Sequence, residues 1–333
     1  MQWVGPRSIV SRLGFFVLIL ILGFLPSFAR AADLSPTSAS AELLSAGRVD
    51  DAIESLQKQI QQSGASAQAY NLLCRAYYML GDWDRGIHAC EQASKLDPQA
   101  GLYQLWLGRA YGEKADRSSM FSAARLAKKV RQSFERAVEL DPTNWKARAD
   151  LAEFYVEAPG VMGGGKEKAL EEAAAIAPLN PAIAHWVAAQ VAEKNKDAVT
   201  AEREYRAAIA ASNSGSRGWD DLATFLKKSN RLDEMEQALT HLEAARLDEP
   251  DALMDGAQML LATSRNFPLA QRLLHRYLSS PDEAGPAFKA HEVLGQLLEK
   301  QGNREAAARE YRAALELAHG YAQAQQDLNR VSG

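Results

Sequence analysis

The feature that most constrains this chain is a spacing of about thirty-four residues. Leu107, Gly108 and Tyr111 each stand 34 positions after Leu73, Cys74 and Tyr77. The set returns as Leu151, Ala152 and Tyr155, as Ala188, Ala189 and Ala192, as Leu222, Ala223 and Leu226, and as Leu294, Gly295 and Leu298. Each set is followed by a second one, such as Cys90 and Ala93, Phe134 and Ala137, Tyr205 and Ala208, or Tyr311 and Ala314. Three- and four-residue steps within a set define one face of an amphipathic helix. The period therefore holds two helices and a turn. Turn residues fall between the sets at Gly81-Asp82, Asn230-Arg231 and Gly302-Asn303. Asp97-Pro98, Asp141-Pro142 and Asn180-Pro181 are expected to end second helices, because the residue before proline is pushed out of helical geometry. One helix pair cannot bury its own apolar face, so neighbouring pairs must stack. No stretch shows the sustained alternation of a half-buried strand.

These positions resemble the tetratricopeptide-repeat family, in about eight degenerate units over residues 39–331, with Tyr321–Val331 as a closing helix. The resemblance implies an all-α, right-handed α-solenoid of antiparallel helix pairs. It also implies a non-enzymatic scaffold that holds a protein or peptide partner on a concave groove lined by first helices. Those helices would present Asn71, Arg75, Tyr78, Arg109, Glu153, Trp186, Gln190, Asp220, Asp255, Met259, Glu292 and Gln296. Asn71, Arg75, Tyr78, Arg109, Trp186 and Gln190 are the candidate partner-binding residues. The early part of this surface is basic and the late part acidic, so a ligand carboxylate is expected to meet Arg75 and Arg109 together. Asn71 with Arg75, one turn apart, resembles the clamp by which some members hold a C-terminal carboxylate. The matching Lys and Asn of later units are absent.

The first residues read as a leader. Arg7 and Arg12 precede the uncharged apolar run Leu13–Leu25, Pro26 interrupts it, and Ala29-Arg30-Ala31 supplies a small-x-small cleavage pattern. Thirteen residues at about 1.5 Å each fall short of a bilayer core of about 30 Å. The expected organisation is a signal peptide over residues 1–31, a linker over 32–38 and the solenoid over 39–333. That places the protein in the periplasm or outside the cell. The alternative is a retained anchor over residues 13–29, which would tether the chain to a membrane. A membrane-tethered assembly factor for envelope proteins or exported polysaccharide is the corresponding alternative role. Cleavage removes three arginines and no acid, taking the net charge from −4 to −7. A nucleic-acid partner is excluded by that balance, since its electrostatic footprint is strongly basic.

Two insertions break the period. Pro98 and Pro142 lie 44 residues apart, and the excess falls around Glu113–Ala127. Lys114–Arg136 contains seven basic residues against Asp116 and Glu135, with Met120 and Phe121 at its tip. This is either a contact for an anionic partner or membrane surface, or a solvated helix face with Phe121 folded onto the neighbouring unit. The second insertion, Ala158–Lys166, contains Gly160-x₄-Gly165-Lys166, most of a phosphate-binding loop. Glu167 stands where such a loop needs Ser or Thr, and a helix rather than a strand precedes it. An elongated helix–helix turn is expected, with a nucleotide-binding enzyme as the rival.

No catalytic, cofactor or metal constellation is expected. The six histidines never fall within five residues of one another, and no nucleophile elbow or paired-carboxylate signature is present. Cys74 and Cys90 occupy facing slots of one helix pair. They are read either as a disulfide or as two small buried thiols. The tryptophans mostly fall on core positions, with Trp186 expected to face the groove.

Overall fold

The computed structural model describes residues 36–64, 66–280 and 286–333. Over these residues it contains seventeen α-helices, one short 3₁₀ turn and no strand. The helices pair in sequence. The first two pairs are α1 (Pro36–Ser45) with α2 (Val49–Ser63) and α3 (Ala67–Leu80) with α4 (Trp83–Leu96). Then come α5 (Gly101–Asp116) with α6 (Met120–Leu140), and α7 (Trp145–Glu157) with α8 (Lys166–Ile176). The next are α9 (Pro181–Lys194) with α10 (Ala198–Ala211), and α11 (Ser216–Lys228) with α12 (Leu232–Ala244). The last pairs are α13 (Asp251–Thr263) with α14 (Phe267–Leu278) and α15 (Ala287–Lys300) with α16 (Arg304–Leu317), closed by α17 (Ala322–Ser332). The all-α repeat solenoid read from the period is the fold. Its first helix starts at Pro36, inside the stretch read as linker. The leader and the anchor over residues 13–29 lie outside the described residues.

Local chemistry fixes the helix starts. The side chains of Ser66, Asp82, Asn144, Asn180, Asp197, Asn266 and Asn303 each accept a hydrogen bond from the backbone N–H three residues on. Each satisfies a donor that the first helical turn leaves open. The Asn180-Pro181 step differs from expectation. It opens α9, with Asn180 as cap, whereas α8 has already stopped at Ile176.

The seam within a pair depends on small residues. A Cβ placed on Gly108 would lie 2.4 Å from the Phe134 ring, and one on Gly295 would lie 2.4 Å from the Tyr311 ring. The repeat slot admits only small side chains because an aromatic from the partner helix fills the space. The third pair of residues at this seam is Cys74 and Cys90, joined as a disulfide with Cα atoms 5.2 Å apart.

Polar ties recur in register. Tyr111 donates to Glu91 and Tyr155 to Glu135, both across 20 residues. His185 meets Glu204 and His291 meets Glu310, each at 2.8 Å across 19 residues.

The described residues form one compact unit with its own buried core. Within it the last pair returns to the first. The backbone N–H of His319 donates to Asp50 and its ring Nδ1 lies 2.9 Å from the same carboxylate. Gly47 sits against Ala287, where an added Cβ would come within 2.5 Å. The concave face thus surrounds a lumen.

Candidate functional site

First helices line the lumen. A cavity of about 390 Å³ lies against α3, α5, α7, α9 and the start of α11. A second, of about 310 Å³, adjoins it and shares Trp145, Trp186, Arg217 and Glu249.

Trp106 forms one wall. The guanidinium groups of Arg75 and Arg109 each lie 5.0 Å from its ring centroid, and Tyr78 meets it edge-on at 5.6 Å. The two arginines are therefore brought together, as the 34-residue spacing predicted. Asp150 on α7 takes Arg109 in a bidentate pair, at 2.6 and 3.3 Å. A ligand carboxylate reaching both arginines would have to share Arg109 with Asp150.

Trp186 forms the opposite wall. It is only 5% exposed, lines both cavities, and its ring carries Arg217 at 4.7 Å. Arg217 also lies 3.5 Å from Asp221 and 3.6 Å from Glu249. Glu249 belongs to the loop between α12 and α13. The hydroxyl of Ser216 anchors that loop by accepting the backbone N–H groups of Asp248 and Glu249. Trp145, expected in the core, is half-buried and reaches both cavities.

Tyr78 stays at the Trp106 wall, and the other predicted residues separate from it. Asn71 is 3% exposed, with its Nδ2 making no hydrogen bond. Tyr78 donates to Glu113 at 3.3 Å. Gln190 is half-buried and lines neither cavity. Met259 is buried against Thr224, and Glu292 is engaged by Gln296 and by Tyr321 beside the closing helix.

Carboxylates outnumber cations in the lumen, and their protonation shows the strain of crowding. Burial, then the Asp255 and Asp221 charges, push the Asp220 carboxyl well above its usual range. Burial raises Asp221 to about 6, with Arg217 and the Trp186 N–H opposing, and raises Asp255 to about 6. Glu153 keeps surface open to the lumen, but protein surrounds it closely. That desolvation and the nearby Asp150 charge bring it to about 7.

The phosphate-loop-like segment follows helix α7, and Gly160–Met162 is a 3₁₀ turn. Lys166 donates to Asn195 in the next repeat. Among the described residues no group of three or more His, Cys, Asp or Glu is placed to hold a metal ion.

Two stretches match tetratricopeptide-repeat models, residues 43–110 and residues 259–322. Yeast Tom70 superposes with a TM-score of 0.53 at 14% identity, covering 92% of this chain and 65% of that one. A tetratricopeptide-repeat protein of Thermus thermophilus, TTC0263, gives 0.45 at 23% identity, covering 59% and 99%. The Cut9-Hcn1 structure gives 0.41 at 12%, and this chain spans 57% of the matched chain. No curated protein matches at the level of sequence. The fold is thus a tetratricopeptide-like solenoid of helical repeats, with tetratricopeptide-repeat matches at its two ends.

Proposed function

We propose that the chain is a non-enzymatic scaffold, exported to the periplasm or beyond, whose lumen holds a basic segment of a partner protein. The observation that carries this reading is the lumen itself. Asp150, Glu153, Asp221 and Glu249 line the cavities walled by Trp106, Trp145 and Trp186, Asp220 and Asp255 add charge beside Asp221 and Glu249, and Arg75, Arg109 and Arg217 are already stacked on tryptophan or paired. Crowded carboxyls with raised proton affinity gain most from an incoming cation, and tryptophan faces attract lysine and arginine. Export is supported by the leader pattern and by the paired cysteines, since disulfides persist in oxidising compartments.

The test follows tryptophan fluorescence of residues 32–333 during titration with a short Lys- and Arg-rich peptide and with an acidic peptide of equal length. The basic peptide binds, salt weakens it, and Glu153→Gln with Glu249→Gln weakens it about tenfold. Tighter binding of the acidic peptide, or unchanged affinity in the double variant, rules the reading out. N-terminal sequencing of exported protein should begin at Ala32; a start at Met1 overturns cleavage.

A further inference from the structure

Among the described residues, the four most exposed large apolar side chains are Val161 at 95%, Phe121 at 86%, Val199 at 81% and Met120 at 76%. All four stand at the turn within a helix pair, and those turns belong to three consecutive pairs, α5–α6, α7–α8 and α9–α10. The turns are neighbours on one edge of the solenoid. Gly163 packs on Arg131 of α6, Lys166 reaches Asn195, and Lys194 pairs with Glu157 at 2.9 Å. The corresponding turns of the other pairs, such as Gly81-Asp82, Asn230-Arg231 and Gly302-Asn303, carry no side chain of this kind. A repeat fold hides its apolar residues in the seams, so three successive turns that break this rule point to contact with something outside the chain.

The charges around these tips indicate what it is. Most cations of the edge are neutralised within the protein, as in Lys114 with Asp84 and Arg117 with Glu113. Arg125, Lys128, Lys166, Lys168 and Lys196 have no carboxylate partner among the described residues. Lys166 and Lys168 bond only to the Asn195 amide and the Gly163 carbonyl. Five cations without a carboxylate partner thus lie near four apolar tips, against the exposed acids Asp116, Glu167 and Asp197 of the same turns, leaving a local excess of positive charge on a chain whose overall charge is negative.

We propose that this edge docks on an anionic lipid bilayer. The tips are divided among three turns with polar residues between them in sequence, unlike the continuous apolar core that a protein interface buries. The boundary zone of a bilayer accepts separate apolar tips while lysine and arginine stay among the headgroups. The lumen is left open for its own occupant. The proposal rests on a different surface from the lumen reading, and each stands or falls without the other.

The test is co-sedimentation of residues 32–333 with vesicles of phosphatidylglycerol and phosphatidylcholine in equal parts, and with vesicles of phosphatidylcholine alone. The described residues hold their own core, and omitting the leader removes a competing apolar segment. The protein should sediment with the anionic vesicles at low salt and leave them as salt rises. Met120→Ser with Phe121→Ser, and separately Arg125→Glu with Lys128→Glu, should each lower partitioning about tenfold or more, with helical content unchanged. Equal partitioning of the variants, or failure of the wild type to bind anionic vesicles at low salt, overturns the proposal. So does a wild-type dimer in solution that the Ser variant dissociates, since the tips would then serve a second copy.

Discussion

At the residue scale, the narrow seam of each helix pair dominates. Gly108 faces Phe134 so closely that Gly108→Ala must move a ring or a helix. A loss of about 1–3 kcal/mol is expected, read as a lower urea midpoint at unchanged slope. The Cys74–Cys90 bond links positions 16 residues apart in sequence. Cys74→Ala with Cys90→Ala should cost about 2–4 kcal/mol, mainly by freeing the unfolded chain. Equal melting temperatures of the wild type with and without reductant would show that the bond is not formed. Arg109 is a third case. Because Asp150 is its partner and Trp106 its platform, Arg109→Ala should lower stability as well as change the lumen, leaving Asp150 without its charge partner.

At the scale of elements, the insertions show how far a repeat can be stretched. The first is absorbed as extra turns of helix, making α6 the longest at 21 residues. Its exposed tip contradicts the expectation that Phe121 folds onto the next unit. The second is a turn shaped by glycine: Gly163 has φ +96°, and a side chain there would strike Arg131. The backbone N–H groups of Met162, Gly163, Gly164 and Gly165 all donate to carbonyls of the turn or of α7. Lys166→Ala should therefore leave helical content and melting temperature nearly unchanged, losing only the bond to Asn195. Calorimetric titration with ATP should show no binding to the wild type; binding that vanishes in the variant would revive the nucleotide hypothesis.

At the scale of the whole molecule, the lumen links stability to pH. Asp220, Asp221 and Asp255 hold protons in the folded state that they release when unfolded. Their raised values make the folded state the better proton binder between about pH 4 and pH 6, so stability falls as pH rises through that window. Glu202, Glu243 and Glu299 act oppositely. Arginine bonds lower them, and that contribution is lost only as pH falls below about 4. The melting temperature should be about 2–4 °C higher near pH 5 than near pH 7.5. Asp221→Asn should flatten that difference, and a melting temperature that rises toward neutral pH contradicts it. Affinity for a basic peptide should change the other way, strengthening as the lumen carboxyls ionise.

What the sequence determined by itself was whatever a single helix pair already contains. The 34-residue spacing, the capping Asn and Asp residues and the small seam positions are local signals. They led to the helices, their pairing, the facing cysteines and the approach of Arg75 to Arg109. The tertiary structure alone decided what meets across repeats. Asp150 reaches Arg109 across 41 residues because an inserted segment displaced it from the period, so no fixed spacing announced the pair. Glu249 enters the lumen from an aperiodic loop held by Ser216, and Asn71 is buried at a position read as groove. Asp50 meets His319 across 269 residues only because superhelical rotation accumulates over eight pairs. Periodicity records which face of a helix is apolar; the curvature that sets one repeat's charges against another's is a sum over all of them.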